Sequence, residues 1–158
     1  MNLVLDTGIL GKLCHPKSEQ NRPVINRLEQ LAQATSELNV IFLPEIADYE
    51  LRRKLLHLIR RKQATQRSLD RLDELCELME YLPLDTPTMR RAAEIWCETR
   101  VAGRPTADDH ALDGDVILSA QAESVDGVVV TTNPKHFESI VPYVSWIDIN
   151  SAGPTAPQ

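Results

Sequence analysis

The chain has 158 residues, 42% of them hydrophobic and 25% charged, which suits one globular domain and leaves little room for a second. Its formal net charge of −6 argues against a passive nucleic-acid binder, which is usually basic, but not against an enzyme that gathers carboxylates around a cation. No apolar stretch approaches the ~20 residues needed to span a bilayer, and the opening Met1-Asn2-Leu3-Val4-Leu5-Asp6 has no signal-peptide pattern, so a cytoplasmic protein with no membrane contact is expected.

Residues 2–6 read as a short buried strand ending in an acid. A helical pattern follows from Arg22 to Thr35, with Val24, Ile25, Leu28, Leu31 and Ala32 on one face. Asn39 to Leu43 is the second strand, and Pro44 suits the first position of the next helix, where a missing N–H costs nothing. That helix runs to Lys62 with Ala47, Leu51, Leu55, Leu58 and Ile59 inward. Another covers Gln66 to Tyr81, with Leu69, Leu72, Leu75, Cys76 and Met79 as its stripe, and Leu82 to Leu84 is a short strand. Thr86-Pro87 opens a helix that buries Met89, Ala92, Ala93 and Trp96 and ends near Gly103.

Arg104 to Leu112 is a polar loop carrying Asp108, Asp109 and His110. A helix from Asp113 to Glu123 follows, with Asp113 as its N-cap. Gly127 to Thr131 is the clearest strand, its Val128-Val129-Val130 run suiting a parallel strand covered on both faces. Val144 to Ile149 is the last strand. We expect a single domain over residues 1–150 and a flexible tail over 151–158. The three cysteines, Cys14, Cys76 and Cys97, are scattered, and Cys76 and Cys97 fall on apolar stripes as core thiols.

Strands alternating with helices predict a parallel sheet covered on both faces, whose ligands bind at the carboxyl ends of the strands. Asp6 and Thr7 close the first strand, and Thr131, Thr132 and Asn133 close the valine-rich one. Glu50 lies early in the helix after the second strand, and Asp115 in the first turn of the helix before the valine-rich strand. Carboxylates with neighbouring hydroxyl and amide oxygens make a hard site that suits Mg²⁺ or Mn²⁺ rather than zinc. Such a site supports phosphodiester hydrolysis by metal-activated water, with no protein nucleophile.

Each acid taken alone has a plainer role. Asp6 fits a strand-end turn, Glu50 an i,i+4 pair with Lys54, and Asp115 the favourable charge of a helix start. Arg53, Lys54 and Arg61 lie toward the Glu50 side of their helix, where they could hold RNA phosphates or form a solvated face. His57 reads as a surface residue, and His15, His110 and His136 form no ligand spacing. Aromatic residues make up only 4%, too few for an array of base-stacking platforms. No P-loop motif is present, the first strand is not followed by dinucleotide-binding glycines, and Gly8 stands where an aspartyl-phosphate enzyme needs a second Asp.

The order of these segments resembles the PIN-domain family, especially the VapC-like toxins of bacterial toxin–antitoxin pairs. The matching elements are Leu5-Asp6-Thr7, Glu50-Leu51, Asp115-Val116-Ile117-Leu118-Ser119-Ala120-Gln121-Ala122, and Val130-Thr131-Thr132-Asn133 followed by Phe137. The Trp146 segment also looks similar. The resemblance implies a three-layer α/β/α fold with a central, mostly parallel sheet. It implies Mg²⁺- or Mn²⁺-dependent cleavage of RNA, a homodimer, and inhibition by a cognate antitoxin protein. Asp6, Glu50 and Asp115 take the family's catalytic, metal-binding positions, Asn133 a fourth metal position that many members fill with an acid, and Thr7 and Thr131 supporting ones. Gly8 departs from the Asn usual there, and the Gly103–Leu112 loop is longer and more acidic than in compact members; it reads first as a solvated loop, with a further carboxylate from Asp108 or Asp109 as the alternative. Those departures keep a second reading open, a PIN fold of weak or no activity that binds RNA or protein.

Overall fold

The computed structural model describes residues 1–15, 18–33, 39–108, 112–147 and 155–157. The strands are β1 (Asn2–Leu5), β2 (Val40–Pro44), β3 (Glu80–Leu82), β4 (Val128–Thr131) and β5 (Tyr143–Ser145). The helices are α1 (Thr7–Leu13), α2 (Arg22–Gln33), α3 (Glu45–Arg60), α4 (Gln66–Leu78), α5 (Thr86–Val101) and α6 (Gly114–Ser124), with short 3-10 turns at Ser18–Asn21 and Pro134–His136. The sheet has five strands in the order β3-β2-β1-β4-β5, and every pairing is parallel.

The strand sequences sort their side chains by alternation. Leu3, Leu5, Val128, Val130 and Val144 face α1 and α2, whose Ile9, Val24 and Leu28 close over them. Leu43 shares that side, under Ala47, Leu51 and Leu55 of α3 and Leu72 and Leu75 of α4. Val4 and Val129 point the other way, onto Ala92 and Ile95 of α5 and Val116, Leu118, Ala120 and Ala122 of α6. The result is the expected three-layer α/β/α arrangement. Because β1 and β4 are covered on both faces, their sequences are continuous apolar runs.

The largest polar side chain that sits wholly inside ties three elements together. Gln121 in α6 is fully buried; its Nε2 donates to Leu82 O at 2.6 Å, and its Oε1 accepts from Ile46 N at 3.3 Å. It ties α6 to the end of β3 and to the start of α3, supplying backbone groups that the local ladder leaves unpaired. On the outer side of α6, Glu123 takes the Arg91 guanidinium from α5 at 2.6 and 3.2 Å.

Several expectations shift. Helix α1 was not anticipated. Pro44 is not the first helical residue but the last of β2, paired with Leu82, and α3 begins at Glu45. Helix α4 stops at Leu78, and the third strand comes earlier than expected, at Glu80–Leu82, because it must pair with Phe42–Pro44. In α5 the inward residues are Thr88, Ala92, Ile95 and Thr99, while Met89 and Ala93 are exposed and Trp96 is half-buried. That helix is rotated from the face its largest side chains suggest.

The buried thiol is Cys14, raised by burial to about 12; Cys76 is half-buried and Cys97 exposed, not the core thiols expected. The side chains of Leu31 and Ala32 lie outside the described residues, as do Asp109, His110 and residues 148–154. Thr155 pairs with Tyr143 in an antiparallel bridge.

Gln121→Leu keeps the volume but orphans the Leu82 carbonyl and the Ile46 amide, so it should destabilise the fold by about 2–4 kcal/mol in urea denaturation. A change under about 0.5 kcal/mol, typical of a neutral surface site, would show that those groups find other partners.

Candidate functional site

The sheet reverses its winding at β1, which has β2 on one side and β4 on the other. The crevice at the carboxyl ends of β1 and β4 is therefore the switch point where a doubly wound sheet binds ligands. Asp6 leaves β1 there, its N–H donating to Val130 O at 3.0 Å.

Asp6 occupies the N-cap position of α1, yet its side chain makes no capping hydrogen bond. Its Oδ2 instead accepts from Thr131 Oγ1 at 2.7 Å, across the crevice from the end of β4. Thr131 is fully buried, and the same hydroxyl oxygen accepts from Asn133 N at 2.9 Å. The next residue, Thr7, donates its hydroxyl to Glu50 Oε2 at 2.7 Å. Glu50 comes from the second turn of α3, which packs on α1 through Leu10, Ala47 and Leu51.

The other acid arrives from α6. Asp113 caps that helix, its Oδ1 accepting from Val116 N at 3.3 Å, and its Oδ2 accepts from Thr106 Oγ1 at 2.6 Å. The cap is thus filled as the sequence suggests, and Asp115, two residues on, is released from that duty. Between them, Gly114 packs against Glu50, and a Cβ built on it would collide with the Glu50 carboxylate. The glycine is what lets α6 and α3 bring their acids together.

Asp115 Oδ2 lies 2.7 Å from His136 Nδ1. Burial pushes the Asp115 carboxyl up to about 6; His136 opposes the rise, and the nearby Asp6 adds to it. The Asp6 effect is the mark of carboxylates sharing one site. His136 Nε2 in turn stands 2.8 Å from Asn133 Nδ2.

Asp6, Thr7, Glu50, Asp115 and Thr131 therefore meet at one edge, and Asn133 joins them through His136. Arg53 is close too, at 3.8 Å from Glu50 and with its guanidinium over the Tyr49 ring at 5.2 Å. It, rather than Lys54, is the cation beside Glu50. Lys54 is exposed on α3, and Arg61, also exposed, stands just past its far end, about 16 Å along the axis by helical rise. Asp108 and His57 are exposed.

His136 was not singled out from the sequence. Its only local signal is the i,i+3 spacing from Asn133 in a Pro-initiated turn. Gly8 is also explained in part: a Cβ there would lie 2.8 Å from Thr132 Oγ1 and 3.5 Å from Asp6 Oδ2, so the Thr132 hydroxyl fills the space beside Asp6.

The donor set is all oxygen apart from His136, the right chemistry for a hard cation. Among the described residues, no three His, Cys, Asp or Glu side chains stand together as a ready ligand set. Each acid is turned to a hydroxyl or an imidazole through one of its oxygens, Asp6 Oδ2, Glu50 Oε2 and Asp115 Oδ2, which leaves the other oxygen of each for a cation. A family model described as PIN domain matches residues 3–141. No curated protein matches significantly.

Among solved structures, the fold is similar to VapBC-1 from nontypeable Haemophilus influenzae, with a TM-score of 0.67 and 18% identity over 93% of this chain and 99% of that one. It is similar to DNA-bound VapBC from Salmonella typhimurium, with a TM-score of 0.66 and 23% identity over 92% of this chain and 98% of that one. FitAcB from Neisseria gonorrhoeae gives a TM-score of 0.63 and 20% identity over 85% of this chain and 90% of that one.

The Asp115 shift has a signed consequence. An unfolded aspartate titrates near 3.8 and the folded one near 6, so the folded chain holds more protons between those values. Without added metal, wild-type stability should fall by about 1–3 kcal/mol as pH rises through that window, and Asp115→Asn should remove the slope. Parallel slopes in wild type and variant would show that Asp115 titrates normally.

Proposed function

The chain belongs to the PIN-domain family, and from that premise we propose that it is a Mg²⁺- or Mn²⁺-dependent endoribonuclease, the toxin of a toxin–antitoxin pair. The observation that carries the reading is the placement of Asp6, Glu50 and Asp115 around the sheet's switch point: Glu50 lies against Gly114, next to Asp115, and Asp6 adds to the rise that burial gives the Asp115 carboxyl. Outside a cation or proton site, such an arrangement is electrostatically unfavourable.

In this reading Asp6, Glu50 and Asp115 are the catalytic cation ligands, with Asn133 at the margin. A bound Mg²⁺ or Mn²⁺ would offset the charge of the phosphodiester and acidify a water for attack. The chain's own contribution is orientation. Thr131 Oγ1 holds one oxygen of Asp6, leaving the other for a ligand. Thr7 Oγ1 does the same for Glu50. Both hydroxyls donate, and each fixes the orientation of its carboxylate. Asp115 keeps part of its proton population near pH 6 and must release it for cation binding, so affinity rises with pH.

Arg53 is placed to hold a phosphate next to the cut, and Lys54 and Arg61 more distant ones along α3. The proposed partners are RNA, a cognate antitoxin and a second copy of the chain. The proposed compartment is the cytoplasm; no described helix is long and apolar enough to cross a membrane.

A second reading, an RNA- or protein-binding PIN module of weak or no activity, is favoured by one observation. Each acid already has a hydrogen-bond or ionic partner, and no described three-ligand set is formed.

Incubation with single-stranded and structured RNA separates the two. Cleavage should need Mg²⁺ or Mn²⁺, stop with EDTA, and fall at least ~100-fold in Asp6→Ala. Gly114→Ala should keep the fold but displace Glu50, lowering the rate about tenfold or more, a cost typical of an approximately 1 Å misplacement. Cleavage unaffected by EDTA would reject the metal mechanism, and folded wild type that cuts none of the RNAs would favour the binding module.

A further inference from the structure

A second cleft opens beside the acids, on the Asp115 side. It has a volume of about 450 Å³, and Arg104 and Thr106 line it from one wall and Lys135, His136, Glu138 and Ser139 from the other. That is room for a nucleotide-sized ligand.

Both walls are held in place. Helix α5 ends in a turn at Gly103, whose φ of +70° is a left-handed conformation that favours glycine. The turn is closed by Arg104 N donating to Thr99 O at 2.8 Å and Gly103 N to Arg100 O at 2.9 Å. The loop beyond is pinned twice: Arg100 Nη2 donates to Ala107 O at 2.9 Å, and Thr106 Oγ1 to Asp113 Oδ2 at 2.6 Å. Arg100 also stacks on Trp96, 3.8 Å from the ring centroid. The facing wall is the Pro134–His136 turn, anchored by the buried Phe137.

His136 belongs to this cleft and also touches Asp115, so the cleft and the acid cluster are continuous. Arg104 and Lys135 are both exposed, and Glu138 is the single carboxylate among the described lining residues. An acidic chain therefore presents two cations next to its acidic centre. Arg53 serves only the Glu50 side of that centre. A strand crossing the acids has phosphates on both sides, and the Asp115 side meets this cleft.

We propose that the cleft holds the RNA backbone on the Asp115 side of the cut, with Arg104 and Lys135 as its phosphate-binding cations and Ser139 as a hydroxyl donor. This rests on the endoribonuclease reading and adds a second half to its substrate path.

The test uses the full chain and a fluorescein-labelled single-stranded RNA that wild type cleaves. Arg104→Ala/Lys135→Ala is compared with Arg22→Ala/Arg67→Ala, and the charge-reversed Arg104→Glu/Lys135→Glu with Arg22→Glu/Arg67→Glu, each control an equal charge change on α2 and α4 across the sheet. Thermal midpoints report folding. The cleft variants should raise KM about tenfold or more, and more than the control does. By anisotropy in an Asp6→Ala background, the alanine pair should lower the salt slope of log K by about 1.4, since each single-strand phosphate contact contributes about 0.7.

Folded cleft variants that match the control in KM and salt slope overturn the cleft while leaving the nuclease standing. Wild type that cleaves no RNA overturns the nuclease reading first, and the cleft with it.

Discussion

The parallel seam between β1 and β4 is the constraint on which the rest depends. Leu3, Val4 and Leu5 pair with Val128, Val129 and Val130, and the seam is buried on both faces. The sheet turns outward from it in both directions, so the seam's carboxyl end is a crevice by topology. Two side chains stand at that end, Asp6 and Thr131, joined by a 2.7 Å hydrogen bond. Everything else at the edge is assembled around that pair.

The assembly uses economical local devices. Three aspartates stand at helix N-caps among the described residues; Asp85 and Asp113 cap their helices and Asp6 does not, which leaves Asp6, and Asp115 two residues past Asp113, to face the crevice. Two hydroxyls, Thr7 and Thr131, each fix one carboxylate. Gly114 removes the Cβ that would separate Glu50 from the start of α6. Gln121, about two turns further along α6, locks that helix to β3 and α3 from inside the core. The positions of the acids are thus inherited from buried packing rather than from flexible loops, as orientation within a fraction of an ångström requires.

Much of this was legible. The apolar runs of β1 and β4 announced a two-sided parallel sheet, and the Asp113 cap and the α3 face followed from spacing, whereas the choice of acids rested on the resemblance of their order to the PIN-domain family. Helix α1 was not legible, because seven residues with two glycines offer too short a period and too weak a propensity to stand out. Helix α5 was misread because its largest side chains, Met89 and Trp96, do not mark its buried face; Ala92, Ile95 and the small Thr88 and Thr99 do. His136 was invisible because its partner, Asp115, is 21 positions away and reaches it only through the β4 turn. The Arg53 contact with Glu50, in place of Lys54, depends on rotamers that helical spacing does not specify.

The central claim is that these acids form a hard-cation site. Calorimetric titration of the wild-type chain with Mn²⁺ at pH 7.5, beside Asp6→Asn and Asp115→Asn, tests it without relying on the choice of RNA. The account predicts saturable binding, proton release on binding, and affinity at least ~10-fold weaker in either variant. No saturable heat in folded wild type, or equal binding in all three proteins, would contradict it.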